Sequence, residues 1–405
     1  MEFDRVLCCG CGACVNVCPV RAITWTVNAE GFSEPQIDND ICIDCNKCRK
    51  VCPYETNHVG VNADPQVFAA VHSDAEVVRN SSSGGVFTAI SDVILARKGV
   101  VYGVAFDAGL QPVYVRASTR NERDSVRGSK YVQCDGKDVY SRVVEDLNSG
   151  REVLFTGTPC QVSGLKLYLS VIHVPTDHLY LVDNVCHGAA SPLVWREYLA
   201  YIQEEVLTGK RIERLSMRSK KVAWQKQYLD CETESGDESD ILNAGASWNK
   251  LYLTTYATRP SCFDCRFTSY ERVGDLTCAD YWNIENAGVS LDYSGGVNLV
   301  LVSSKKGRAL LDDCAGTLQL EESNKKACWQ IHLEKPVVYT GKRAVFWAKL
   351  ARDKRMTVKE YAKGSRFNAF TRTITPILRK LGLYTMAVRM LSFAKGVIGS
   401  HANQD

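Results

Sequence analysis

Two short stretches near the start of the chain constrain its fold more than any other feature. "CCGCGACVNVCP" holds Cys8, Cys11, Cys14 and Cys18 ahead of Pro19, and "CIDCNKCRKVCP" holds Cys42, Cys45, Cys48 and Cys52 ahead of Pro53. Both read C-x2-C-x2-C-x3-C-P. Three thiolates at i, i+3 and i+6 on a tight loop can reach three corners of an iron–sulfur cube, whereas the fourth enters a short helix and points the other way, toward a second cube. A segment so committed folds around inorganic cores, because it is too short to bury enough apolar surface of its own.

Crossed pairing of the two runs predicts one cluster on Cys8, Cys11, Cys14 and Cys52 and another on Cys42, Cys45, Cys48 and Cys18. Gly10 and Gly12 let the first loop turn its N–H groups toward cluster sulfurs. Zinc also accepts four thiolates, but two complete runs with trailing prolines resemble the bacterial two-cluster [4Fe–4S] ferredoxins, and such a domain is predicted over residues 1–58. Cys9 is surplus to the pattern and reads as a non-ligand neighbour. Between the runs, "AITWTVNAEGFSEPQID" alternates like a hairpin.

The remaining chain is long enough, at 405 residues in all, for one or two further domains. The first motif begins at Cys8, which leaves no room for an apolar leader, and the longest apolar candidate, residues 382–399, is broken by Arg389 and Lys395. The expected location is therefore the cytoplasm, where 18 patterned cysteines point to metal ligation rather than disulfides. Fourteen Lys/Arg against two Asp/Glu between Lys342 and Val397 leave 35 basic and 44 acidic residues elsewhere, so an acidic body carries a basic tail. A helical C-terminal extension over residues 346–405 is predicted. Its plain meaning is a solvated helical face; the sharper one is contact with an acidic partner or peripheral contact with an anionic membrane. No nucleic-acid motif accompanies the charge, so nucleic acid is not expected as a partner.

Residues 66–345 read as a layered α/β body. Strands "VFAAVHS", 99–107, 152–157 and 179–188 alternate with helices beginning near Val86 and spanning 138–149, 161–169 and 192–207, which predicts a parallel sheet. Ser83-Gly84-Gly85 opens the first of these helices and could cradle an anion, although an ordinary capped turn has the same composition. Cys160 in "TGTPCQ" and Cys186 in "VDNVCHG" fall at the carboxyl ends of strands, where open α/β sheets bind ligands. They could meet Cys262 and Cys265 of "RPSCFDCRF" in a third cluster. Scattered ligands have no diagnostic spacing, and Cys278 competes for a place in the set. Cys134, Cys231, Cys314 and Cys328 read as inert thiols, and His187 as either a neighbour of the cluster or a satisfied polar residue.

Seven ordered segments carry a family resemblance: "SSSGGVFTAI", "GSKYVQ", "VLFTGTPCQVSGLK", "VDNVCHGAASPLVW", "RPSCFDCRF", "GDLTCADYW" and "GVNLVLVSSKKG". Over roughly residues 1–345 the chain resembles the coenzyme F420 hydrogenase/dehydrogenase beta-subunit family, in a form with a fused two-cluster ferredoxin domain. The resemblance implies an oxidoreductase with FAD beside a [4Fe–4S] cluster, moving electrons between a ferredoxin or deazaflavin carrier and a substrate or partner enzyme. It places the third cluster on Cys160, Cys186, Cys262 and Cys265, and sets aside Cys278, which stands where the pattern has an apolar residue. It also places FAD contacts on Ser83, Gly84, Gly85 and Thr88, with Lys130, Gly157 and Thr158 beside them. Asn283 departs from the pattern, which has Gly there. Relatives with this fusion often lie in polysaccharide-synthesis loci, so the alternative reading is an electron-transfer subunit serving a partner. No nucleophile-and-base arrangement supports hydrolysis.

Overall fold

The computed structural model describes residues 6–56, 60–134, 136–221, 224–225, 228–236, 238–239 and 247–363. At the N-terminus, helix α1 (Ala13–Val17), strands β1 (Ile23–Val27) and β2 (Ser33–Ile37), and helix α2 (Lys47–Lys50) form a small unit. The expected hairpin is present, with Ile23 opposite Ile37 and Val27 opposite Ser33 in antiparallel register.

Strand β3 (Gln66–His72) begins the body and leads through α3 (Ala75–Arg79) to α4 (Val86–Ala96). Strands β4 (Val100–Phe106) and β5 (Pro112–Ala117) follow, then α5 (Arg120–Asp124), α6 (Val139–Asn148), β6 (Val153–Thr156), α7 (Pro159–Val171), β7 (Leu179–Asn184) and α8 (Pro192–Tyr201). A smaller sheet contains β8 (Ile212–Ser219), β9 (Tyr228–Thr233) and β10 (Glu238–Ser239), and α9 (Trp248–Tyr252) follows it. The chain then returns to the main sheet with β11 (Leu276–Asp280), β12 (Asn298–Val302), α10 (Lys305–Asp312) and β13 (Leu318–Ser323), and ends in α11 (Lys342–Arg352) and α12 (Lys354–Lys363).

The eight-stranded main sheet has the order β13-β3-β12-β11-β7-β6-β4-β5. It is mixed, which corrects the parallel expectation. Parallel pairing is confined to the neighbours β4–β6, β6–β7 and β7–β11; the other pairs are antiparallel. The cause is the connections. A parallel pairing needs a long crossover, usually a helix. β4 and β5 are instead joined by a tight turn in which the Asp107 side chain accepts from the N–H groups of Gly109 and Gln111. β11 and β12 are joined by a loop with only a short 3-10 turn, Ile284–Asn286, so they pair antiparallel.

Side-chain alternation then sorts the core into two layers. Val153 and Phe155 face α6 and α7, while Leu154 faces α4 and α10. The α6/α7 layer does not end at those helices: Ala13, Val17, Val51 and Tyr54 of the N-terminal unit lie in the same apolar cluster as Tyr140, Val162 and Leu165. The eight-cysteine unit therefore shares a core with the body. A second cluster gathers Trp195, Tyr198, Met217 and Trp248 with Phe346, Leu350, Val358 and Ala362, so the first part of the basic tail packs into the protein. Its charges are also engaged: Arg355 pairs with Glu204, Lys359 with Glu205 and Arg343 with Glu30. The rest of that predicted extension lies outside the described residues. No helix among the described residues is long and apolar enough to cross a membrane.

Candidate metal centres

The eight cysteines of the two runs divide between two cavities. One is lined by Cys8, Cys11, Cys14 and Cys52 together with Leu7, Cys9, Trp25, Pro35 and Tyr54. The other is lined by Cys18, Cys42, Cys45 and Cys48 together with Val20, Ile23, Ile37 and Ile43. Left-handed backbone makes these loops possible: Gly10, Gly12 and Asn46 all have φ between +58° and +87°. Burial raises the thiols of Cys14, Cys48 and Cys52, and Cys14 is raised further by Cys8, Cys52 and Cys48. Crowded, desolvated thiols of this kind exchange protons for metal rather than stand ionised alone.

The two cavities differ in setting. Around the first, close approaches from the body leave no room for larger residues. A Cβ on Gly164 of α7 would lie 2.8 Å from the Cys11 sulfur, and one on Gly136 would lie 2.4 Å from the Cys11 carbonyl oxygen. The Tyr54 hydroxyl donates to the Ser261 carbonyl at 3.2 Å, and Tyr54 stacks edge-on against Phe267. Around the second, Cys45 is exposed, as are Val20, Ile41 and Ile43.

Cys160, Cys186, Cys262 and Cys265 come from three loops at the carboxyl edge of the parallel strands. "TGTPCQ" turns directly from β6 into α7: Thr158 and Gln161 form a capping box and Pro159 occupies the first turn, which seats Cys160 at the helix N-terminus. Cys186 follows β7 and accepts the Gly188 N–H at 3.3 Å. Gly188 has φ +103°, and a Cβ there would meet the Thr258 side chain at 2.7 Å and the Cys262 Cβ at 3.6 Å, so glycine lets this loop reach Cys262. Cys262 lies within a 3-10 turn, Pro260–Asp264, and Cys265 directly follows it. The four thiols raise one another. Burial pushes Cys262 up to about 12 and Cys265 to about 11, with Cys160 adding to both. Cys186 is raised by burial, then by Cys262, Cys160 and Cys265.

A buried ion pair fixes the spacing of these loops. Arg272 donates to Asp183 at 3.0 Å and to the carbonyls of Asn184 and Phe267, while Thr277 and Gly274 also donate to Asp183. Asp183 lies three residues before Cys186 and Arg272 seven after Cys265, so the pair joins both cysteine loops. Removing one partner of so buried a pair typically costs about 3–5 kcal/mol. Cys278 is raised to about 12 by burial, then by Asp183 and Cys314, and packs on the α4/α10 face, away from this group. Among the described residues no three His, Cys, Asp or Glu side chains are arranged to hold a single metal ion. A cube carries its own sulfides between the irons and spreads its cysteines more widely.

The side chains expected to contact FAD are used within the protein. Ser83 donates to the Val297 carbonyl at 2.5 Å, and a Cβ on Gly84 would lie 2.3 Å from the Ala70 carbonyl oxygen, so the turn is packed against β3 and β12. Lys130 caps the carbonyls of Ser125, Val126 and Arg127. Gly157 N–H bonds to the Val182 carbonyl, and Thr158 is held in the capping box. These groups do not fit a flavin as direct side-chain ligands. The head of α4 keeps a compatible feature: Gly85 precedes the helix at φ +91°, and the buried Thr88 hydroxyl has no hydrogen-bond partner among the described residues. Asn283 adopts φ +66°, a conformation asparagine tolerates better than most residues, so it reproduces what glycine would allow there.

Cys9, the surplus thiol of the first run, is buried in the same apolar cluster as Cys11 and Cys160. One further residue near the cysteines carried almost no sequence signal. Arg259 sits between the N-terminal unit and the body; only its place three residues before Cys262 in "RPSCFDC" could have drawn attention to it.

Profiles of known families fit this arrangement. Residues 7–56 match a 4Fe-4S dicluster domain. Residues 67–140 match the coenzyme F420 hydrogenase/dehydrogenase beta subunit N-term, and residues 150–327 match its C terminus. The chain belongs to the coenzyme F420 hydrogenase/dehydrogenase beta-subunit family and carries a dicluster ferredoxin domain at its N-terminus. Among solved structures, a chain from the xenon-derivatized F420-reducing [NiFe] hydrogenase complex of Methanosarcina barkeri is 17% identical, with a TM-score of 0.44, over 74% of this chain and 91% of that one. No curated protein matches.

Proposed function

We propose that the protein is an iron–sulfur electron relay with three [4Fe–4S] centres. Cys18, Cys42, Cys45 and Cys48 hold an outer cluster, Cys8, Cys11, Cys14 and Cys52 an inner one, and Cys160, Cys186, Cys262 and Cys265 a third within the body. One observation carries this reading: Cys9 and Cys11 of the first run share an apolar cluster with Cys160 of the body, and α7, whose first turn holds Cys160, runs so close that a Cβ on Gly164 would lie 2.8 Å from the Cys11 sulfur, so the two groups adjoin. The clusters supply one-electron chemistry when bound. The protein's part is to keep the centres close together, exclude water from the inner two and leave the outer one accessible, since Cys45, Ile41 and Ile43 are exposed. A carrier such as a ferredoxin would dock there. The domain division at 1–58, 66–345 and 346–405 belongs to the same proposal.

Family membership together with the orphan Thr88 hydroxyl at the head of α4 favours a second reading, in which the protein carries FAD and reduces or oxidises its own substrate, with a deazaflavin as one candidate carrier. No step is assigned to a flavin here, because the expected side chains are engaged elsewhere. Anaerobic purification with iron, sulfide and flavin quantified separates the readings. About twelve irons without flavin support the relay; about twelve irons with one FAD support the reductase; about eight irons remove the body cluster.

A further inference from the structure

Arg259 is 1% exposed, and no carboxylate pairs with it among the described residues. Its guanidinium is instead spread across the junction. Nε donates to the Cys8 carbonyl at 2.5 Å, and the two terminal nitrogens donate to the Gln133 side-chain oxygen and the Ser33 carbonyl, each at 3.0 Å. Gln133 in turn donates to the Cys9 carbonyl at 3.0 Å, so both residues at the head of the first cysteine loop hang from this one side chain. On its other side, Arg259 begins the loop that carries Cys262, whose N–H bonds to the Arg259 carbonyl at 3.0 Å. Its main chain is also fixed to the Cys186 loop through the Ala189 carbonyl at 2.9 Å.

A buried guanidinium with only neutral acceptors is costly, because carbonyl dipoles replace part of its hydration but none of the counter-charge. Two four-thiolate cubes on either side would supply that charge. We propose that Arg259 is a shared counter-cation and positioning residue for the inner ferredoxin cluster and the body cluster, tying their potentials together. This rests on the three-cluster reading above. A fixed positive charge favours the more negative, reduced state of each adjacent cluster, so Arg259 raises the potentials of both. The outer cluster of Cys18, Cys42, Cys45 and Cys48 receives no bond from it and serves as an internal reference.

The test is an EPR-monitored redox titration of the anaerobically reconstituted full chain. In Arg259→Gln, two of the three cluster signals should move to lower potential while the third stays. Arg259→Lys keeps the charge but cannot bridge three acceptors, and should restore most of the shift. Gln133→Glu sets a carboxylate against the guanidinium without removing it, and should lower the same two signals. Unmoved potentials in iron-replete Arg259→Gln, or an equal shift of all three, would overturn the inference and leave the relay intact. Should Arg259→Gln lose iron, Gln133→Glu decides; iron loss in both would make the junction merely structural and overturn it. A wild type with about eight irons would instead remove the body cluster, and the shared charge with it.

Discussion

The two cysteine runs share one spacing and stand in opposite settings. The first loop is walled in by α7, the 128–138 loop and Arg259, so closely that Gly164 and Gly136 have no room for a methyl group. The second faces outward, with Ile41 and Ile43 about half exposed and Cys45 in the open. A motif sets what can be ligated; the surface it is pressed against sets whether that centre is an internal link or a point of entry.

The strongest way to break this comparison is to remove one ligand from each side. Cys52→Ser and Cys45→Ser should each lose about four irons. Only Cys52→Ser should also loosen the junction, seen as a larger fall in thermal midpoint and faster proteolysis between residues 55 and 66. Equal losses of stability would mean that the inner cavity is no more structural than the outer. Next in size, Arg272→Met should cost about 3–5 kcal/mol in denaturant unfolding by stranding Asp183. Iron in the body site should fall while both ferredoxin EPR signals persist.

Gly164→Ala sharpens the contrast more finely. Overpacking against Cys11 should cost about 1–3 kcal/mol and deplete the inner cluster, whereas Gly316→Ala, with nothing within 4 Å, is the control and should stay within about 0.5 kcal/mol. The smallest effect belongs to the outer surface. Ile43→Ser should leave stability within about 0.5 kcal/mol yet slow reduction by a protein donor, with reduction by dithionite unchanged; equal rates with the protein donor would move the docking site elsewhere.

Strands β3, β4, β6 and β7 and helices α4, α6, α7 and α8 were legible because each kept its own period, whereas β5 and the strands from β8 onward were not named; the family was legible from seven short segments. The sheet's mixed direction was not, because direction depends on what joins β11 to β12, and a seventeen-residue loop leaves no periodic trace. The cysteines announced themselves by spacing where local, and by strand ends where scattered. Asp183 and Arg272 could not be paired from sequence, being 89 residues apart and joined only by folding. The packing of the Ser-Gly-Gly turn was not legible either: the same small residues that could admit a phosphate also admit a neighbouring strand, and at Gly84 the backbone of β3 and β12 lies close.

One contact has a bearing on how the molecule comes to be assembled. Glu30, at the tip of the β1–β2 hairpin, grips Arg343 across 313 positions of sequence, while its carbonyl receives the Ser191 hydroxyl. The hairpin tip reaches its full set of contacts only when the segment before α8 and the start of α11 have both folded against it, so two stretches of chain far apart in sequence bind the small N-terminal unit to the body.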